Sequence, residues 1–375
     1  EAISAFSASN IGNYYISSKF AKSKESEIYK AWAWGNYKYQ SKSKKNLLYV
    51  KEQKELEFLT FYSDCINFSR DLINSPANKL NPSTYYSKIK NNNLFKSFNF
   101  IDYTEKEINS NFPLTCAVGK SSSSKPKVIE ITNRKLSKKD KPLVIIGKGV
   151  TFDTGGVNIK PGTSMRNMKK DMGGSAIAIS LFLLANYFLK KTKIVLIAPI
   201  AENAISSKSM RPGDVYSSVS GKSVEIAHTD AEGRLLLADA IEKASSYNPC
   251  MIIDFATLTG AARVALGEDL PAYFCNNETF AKKIENLNKE KLRCWRLPLY
   301  SPYLFKIKSQ VADLSNASLD GMAGSITAAL FLQEFLKSPN IPWFHFDTFA
   351  WSQDSKGAAL QGLDIMSDFL RKNFN

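Results

Sequence analysis

Four short, almost uninterrupted apolar runs set the tightest limit on what this chain can fold into: residues 143–146 (LVII), 194–199 (IVLIAP), 251–255 (MIIDF) and 343–349 (WFHFDTF). A strand with one face in water alternates apolar and polar residues, so a continuous run asks for burial on both faces. Between these runs the apolar residues fall at helical spacing, over 175–189 behind Gly173-Gly174, over 232–246 through Leu235, Leu236, Ala238 and Ile241, and over 325–335. A further short strand is predicted at 224–226. Strands alternating with helices predict an α/β chain whose mixed, largely parallel sheet is covered by helices on both faces. No repeat of fixed period interrupts this order.

The first 45 residues are different: polar, rich in Ser and Lys, with one aromatic cluster at 31–37 (AWAWGNY). Leu56, Leu59, Cys65, Phe68 and Leu72 then mark a long helix that Ser75-Pro76 ends. The expected division is therefore 1–50, the C-terminal part of a smaller N-terminal α/β domain with its linker; 51–72, a connecting helix; and 73–375, the main domain. Residues 1–10 carry no basic stretch followed by an apolar one, so no leader is expected. The longest apolar run, 177–189, is broken by Ser180 and Asn186 and reads as a buried helix too short to span a bilayer, so no membrane partner is expected. Cys65, Cys116, Cys250, Cys275 and Cys294 are scattered and odd in number, which suits reduced thiols and a cytoplasmic setting.

The acidic residues are placed where chemistry needs them. Asp153 lies in a glycine-rich loop predicted over 147–156 (GKGVTFDTGG), Asp171 directly precedes Met172-Gly173-Gly174 at a helix entrance, and Asp230 and Glu232 sit in the turn 228–234 (HTDAEGR) before the next helix. Open α/β sheets gather such loops at the carboxyl ends of their strands. Any one of these acids alone reads as a helix cap. Four of them, interleaved with Lys148, Lys160 and Arg234, would repel one another unless cations bind between them. Two divalent ions about 3.5–4 Å apart would suit the set.

Other chemistries fit poorly. Only His228 and His345 are present, too few for a histidine-based zinc site, and His345 sits inside an apolar strand as a core residue. Residues 219–223 (VSGKS) end like a P-loop, but Tyr216 occupies the place of its first glycine. Gly147-Lys148-Gly149 lacks the third glycine of a dinucleotide fingerprint, and no G-x-S-x-G elbow exists. The net charge of +15 permits a nucleic-acid contact. Much of the lysine, however, falls in runs at 19–24, 42–45 and 135–141 that read as solvated surface, with no recognition motif beside them. A DNA-binding or architectural role in addition to any metal chemistry is the disfavoured alternative.

Residues 229–235 (TDAEGRL) resemble the signature of the leucyl aminopeptidase, or cytosol aminopeptidase, family. Further resemblance lies in 147–160 with 172–174, in 71–78 (DLINSPAN), in 211–215 (RPGDV) and in 256–261 (ATLTGA), so that it covers roughly 70–375. The resemblance implies that 73–375 is a metallo-aminopeptidase catalytic domain. In it Lys148, Asp153, Asp171, Asp230 and Glu232 would hold two divalent ions (zinc or manganese, with magnesium or cobalt able to substitute), Asp153 and Glu232 bridging them. Lys148 could act as a ligand only when deprotonated, which a dication can enforce. Lys160 and Arg234 match the two non-ligand catalytic positions, Arg234 holding a bicarbonate as general base.

The same resemblance implies a metal-activated water that cleaves the N-terminal residue, leucine-like or broader, from peptides. Met168, Thr257, Leu258 and Gly260 would contact the substrate, with Phe349 and Ser352 at the opposite wall, and the assembly would be a homo-hexamer. Two departures stand out. His228 replaces an asparagine beside the metal-binding turn and is expected to hydrogen-bond there rather than ligate. The N-terminal segment matches only the end of the family's N-terminal domain.

Overall fold

A computed structural model describes residues 13–15, 22–40, 47–50, 52–352 and 357–374. Its main sheet contains β1 (Asn99–Ile101), β2 (Lys127–Thr132), β3 (Leu143–Gly147), β4 (Gly149–Asp153), β5 (Ile194–Asn203), β6 (Met251–Ala256), β7 (Ala272–Cys275), β8 (Trp295–Arg296) and β9 (Trp343–Asp347). The order across it is β8-β7-β9-β6-β3-β5-β2-β1, with β4 continuing the β3 direction along the far half of β5. The central strands β9, β6, β3 and β5 are parallel, and antiparallel pairing is confined to β7 on β9 and to β2 and β1 beyond β5. This is the mixed, largely parallel sheet that the apolar runs predict.

Alternate residues of each central strand enter two separate cores. Leu143, Ile145, Leu196, Ile253 and Phe255 face α2 (Gly173–Phe188), which packs with α1 (Gln53–Asn74) and α6 (Leu363–Asn373). Val144, Ile146, Val195, Ile197 and Ile252 face α3 (Gly233–Ser245) and α5 (Gly324–Gln333). Both layers are lined by buried apolar side chains, which supplies the burial that parallel strands require. Helix α2 lies unusually close to the sheet. A side chain at Gly174 would overlap the Phe255 carbonyl oxygen and meet Ala256 Cα at 2.8 Å, so glycine is needed where the helix starts.

The N-terminal described segments form a parallel pair, Asn13–Tyr15 with Leu47–Tyr49, around a helix at Lys22–Gly35. The aromatic cluster at its end docks on α1: Trp34 Nε1 donates to Tyr62 Oη at 2.8 Å, and Tyr37 Oη donates to Asp71 at 2.7 Å. The Arg70 guanidinium lies over both the Trp34 and Tyr37 rings.

Three sequence expectations shift. The supposed glycine loop at 147–156 contains strand β4, because glycine at 149 lets the chain pass the Pro199 carbonyl at a distance no Cβ would tolerate. Strand β5 runs on to Asn203 rather than stopping near Pro199. The apolar helix is also longer than 177–189. With the 3-10 turn that leads into it, Met168–Phe188 is long and apolar enough to cross a membrane, yet 83% of its most apolar window is buried against the sheet, the mark of a core helix. The lysine run at 42–45 and residues 19–21 of that at 19–24 lie outside the residues described, while Lys22 and Lys24 open the helix Lys22–Gly35. Lys135, Lys138, Lys139 and Lys141 are exposed on the loop between β2 and β3. All five cysteines are free thiols.

Candidate metal centre

The main chain brings together acids that are up to 79 residues apart. Asp153 ends β4, and Lys148 follows β3 directly. Asp171 sits in the 3-10 turn Met168–Met172, and Asp230 and Glu232 belong to the turn ahead of α3. Asp153, Asp171 and Glu232 are all buried, and each offers an oxygen within 4.8 Å of the other two. The Lys148 ammonium lies 2.8 Å from Asp171 Oδ2 and 2.9 Å from Glu232 Oε1, and donates to the Thr257 carbonyl at 2.9 Å. Lys160 lies 3.0 Å from Asp153 Oδ2 and also pairs with Asp230. Asp230 stands at the rim, its side chain 28% exposed, and joins the others through Lys160.

These charges hold one another in strained protonation states. Burial pushes the Glu232 carboxyl well above the usual range, and Asp153 adds to it; burial and Asp153 lift Asp230 to about 6. Burial acts to lower both lysines, but the carboxylates outweigh it, so Lys148 and Lys160 are held above the ordinary lysine value. Two ammonium groups do not satisfy the set. Both Glu232 oxygens, Asp171 Oδ2 and Asp230 Oδ1 are buried without a well-directed hydrogen bond. Buried carboxylate oxygens of this kind need cations or donors, and an all-oxygen cluster suits hard divalent ions. Arg234 is the converse case. Burial lowers its guanidinium to about 10, and Nε and Nη1 have no acceptor, which suits an anion.

Three residues that the sequence reading missed hold this geometry. Asn203, at the end of β5, donates to Asp153 Oδ1 at 2.8 Å and to the Thr229 carbonyl at 3.1 Å. Asn316, fully buried, accepts from the main-chain N–H groups of Ala227 and His228 at 2.8 and 3.1 Å and donates to the carbonyls of His228 and Ala231 at 2.8 and 3.3 Å. Asp347, at the end of β9, accepts from the N–H groups of Leu258 and Thr259, both at 3.1 Å, and from the Thr259 hydroxyl. Lone Asn and Asp residues at strand ends look like ordinary loop residues; a strand that continued past Pro199 was the one available signal for Asn203.

Of the residues expected at the substrate, Thr257 is buried, its hydroxyl donating to Asp171 Oδ1 at 2.8 Å. Met168 is half-buried on the same 3-10 turn as Asp171, and Gly260 is exposed at the start of α4 (Gly260–Leu266). The Leu258 side chain packs on the α3 and α5 core, so it has only main-chain atoms to offer. Phe349 is half-buried, and Ser352 ends the two-residue strand Trp351–Ser352 that pairs with Gly357–Ala358. His228 Nδ1 accepts from the Asp230 N–H at 3.2 Å, so that nitrogen braces the turn. His345 is a core histidine: fully buried, 2.5 Å from Asp254 Oδ1, and stacked between Phe274 and Trp343.

A profile described as the cytosol aminopeptidase family, catalytic domain, matches residues 67–366. The chain belongs to the cytosol aminopeptidase family. It is 41% identical over 288 residues to the cytosol aminopeptidase of Encephalitozoon cuniculi, a stretch covering 75% of this chain and 58% of that protein. Across the curated relatives it spans 57–59% of their length. The crystal structure of the cytosol aminopeptidase of Coxiella burnetii superposes with a TM-score of 0.90 at 36% identity, covering 100% of this chain and 84% of that one. The bottromycin maturation enzyme BotP, solved in complex with Mn, gives a TM-score of 0.84 at 28% identity over 93% of this chain and 79% of its own.

Proposed function

We propose that this chain is a metal-dependent aminopeptidase that removes the N-terminal residue from peptides in the cytoplasm. Residues 73–375 would form its catalytic domain, α1 the connection, and residues 1–50 the end of a smaller domain. The observation that carries the reading is the buried triangle of Asp153, Asp171 and Glu232, each offering an oxygen within 4.8 Å of the other two, with Glu232 Oε2 facing no hydrogen-bond donor and two further oxygens held only by the Lys148 ammonium. Two divalent ions, zinc or manganese as in the manganese complex of BotP, fit this donor set, with magnesium or cobalt as substitutes. Lys148, Asp153, Asp171, Asp230 and Glu232 would hold them.

Bound there, the ions would lower the pKa of a water and polarise the scissile carbonyl. The chain's own residues do the rest. Asp171, fixed by the Thr257 hydroxyl, faces the free amine of the peptide and so favours an N-terminal residue over an internal one. Lys160, held by Asp153 and Asp230, offers its ammonium to the developing oxyanion. Arg234 has free guanidinium donors for a bicarbonate, which would take the proton from water. Lys148 must give up its proton before it can ligate, and a dication at contact distance supplies the drive. Thr257, the Leu258 main chain, Gly260 and Met168 border the first side chain, which is expected to be leucine-like and broad in range. Exposed Val264, Phe305, Val311, Leu319 and Met322 supply apolar surface suited to the proposed homo-hexamer.

The test is cleavage of leucine p-nitroanilide before and after chelation. Loss on chelation and recovery with manganese or zinc supports the proposal; chelator-resistant cleavage, or none with any metal, refutes it.

A further inference from the structure

Lys148, Lys160, Lys169, Lys170 and Arg234 lie in or beside the segments that carry the clustered acids, and four of these five have an assigned task. Lys148 and Lys160 each pair with two of the clustered carboxylates. Arg234 is assigned to the proposed bicarbonate through its unpartnered donors, and Lys169 donates to the Asn74 carbonyl at 2.9 Å. Lys170 is the remainder. It is only 4% exposed, yet its ammonium has no carboxylate or hydrogen-bond partner among the described residues. Its ammonium lies over the Phe349 ring, 4.3 Å from the ring centre, and the Arg263 guanidinium lies 4.9 Å from the same centre. The neighbouring acid, Asp171, is turned to Lys148 and the Thr257 hydroxyl.

A desolvated ammonium is costly to hold without an anion, and an aromatic face compensates only in part. The turn that carries Lys170 also carries Met168 and Asp171, and Phe349, expected at the opposite wall of the substrate site, lines a small cavity together with Arg263. We infer that Lys170, seconded by Arg263, selects the first side chain of the substrate and draws glutamate- or aspartate-headed peptides into the pocket beside Phe349. The inference rests on the aminopeptidase reading and narrows its substrate class. The apolar walls still admit leucine-like side chains, while the two cations disfavour lysine and arginine.

The manganese-loaded protein is assayed on p-nitroanilides of glutamate, glutamine, leucine and lysine. Glutamate against glutamine isolates charge at constant shape. The wild type is expected to favour glutamate by about tenfold in kcat/KM, with lysine the poorest of the four. Lys170→Met is expected to bring the glutamate-to-glutamine ratio to about one or below, and Arg263→Leu to lower it by a smaller factor. A wild type that cleaves glutamine and leucine but not glutamate overturns the inference, as does a ratio unmoved by Lys170→Met; each leaves the aminopeptidase reading standing. If Lys170→Met does not fold, the wild-type order and Arg263→Leu decide alone. A protein that cleaves none of the four overturns both readings.

Discussion

Asn316 gives the most informative perturbation, because it touches no proposed ligand yet fastens the turn that presents two of them. Asn316→Ala removes four hydrogen bonds to the main chain of 227–231. A net bond contributes about 0.5–1.5 kcal/mol, more when its partner is left buried and unpaired. Ala227 and His228 are partly open to water, which can replace the lost partners, so about 3 kcal/mol in total is expected. For 375 residues the unfolding entropy is roughly 0.8 kcal/mol/K, so the melting temperature should fall by about 4 °C. A turn loosened by about 1 Å should also cost roughly a hundredfold in activity and weaken metal binding. The control is Asn133→Ala, which loses comparable bonds to Ile194, Thr192 and Asn186 at the far edge of the sheet and should lower stability alone. Calorimetry with metal titration separates the two. Equal effects from both substitutions, or unchanged metal affinity in Asn316→Ala, would refute the assigned role.

Other outcomes follow from the same geometry. Gly174→Ala sets a methyl group between two stretches of backbone that cannot yield, so a loss near the upper end of the usual overpacking range, about 3 kcal/mol, is expected in urea denaturation, and a wild-type midpoint would contradict it. Lys160→Met should lower kcat by about 10²–10³-fold with metal content retained; an effect on KM alone would remove Lys160 from the oxyanion. The Asp230 carboxyl is raised to about 6 by burial and Asp153, so the folded chain holds that proton more tightly than the unfolded one does. Its stabilising contribution is complete below about pH 4 and lost as pH rises to about 6. Metal-depleted wild type should therefore lose stability relative to Asp230→Asn over that window, and divalent metal should abolish the difference; parallel curves would speak against it.

Much of this was legible in the chain. The continuous apolar runs dictated a sheet buried on both faces, and the structure sorts their alternate residues into the two cores that such burial requires. Asp153, Asp171 and Glu232 were legible because each adjoins a glycine or a helix start, and those landmarks survive into the fold. Strand β4 was not, because glycines at 147 and 149 read locally as a loop, whereas their cause is close packing against Ser175 and Pro199, residues distant in sequence. Asn203, Asn316 and Asp347 escaped for the same reason: a side chain that bonds to a remote main-chain turn leaves no periodic mark. The Lys170 environment was equally invisible, since only the fold shows which of two adjacent lysines finds a carbonyl and which does not.

The central claim is that distant acids close around two divalent ions. Metal content per chain, measured by plasma mass spectrometry after equilibration with manganese or zinc and dialysis, tests it most directly, with Glu232→Ala in parallel and circular dichroism to confirm that the variant folds. Two ions per wild-type chain, and the loss of at least one together with all activity in folded Glu232→Ala, is the expected result. A wild type that retains no stoichiometric metal, or a Glu232→Ala chain that keeps both ions, would contradict the account.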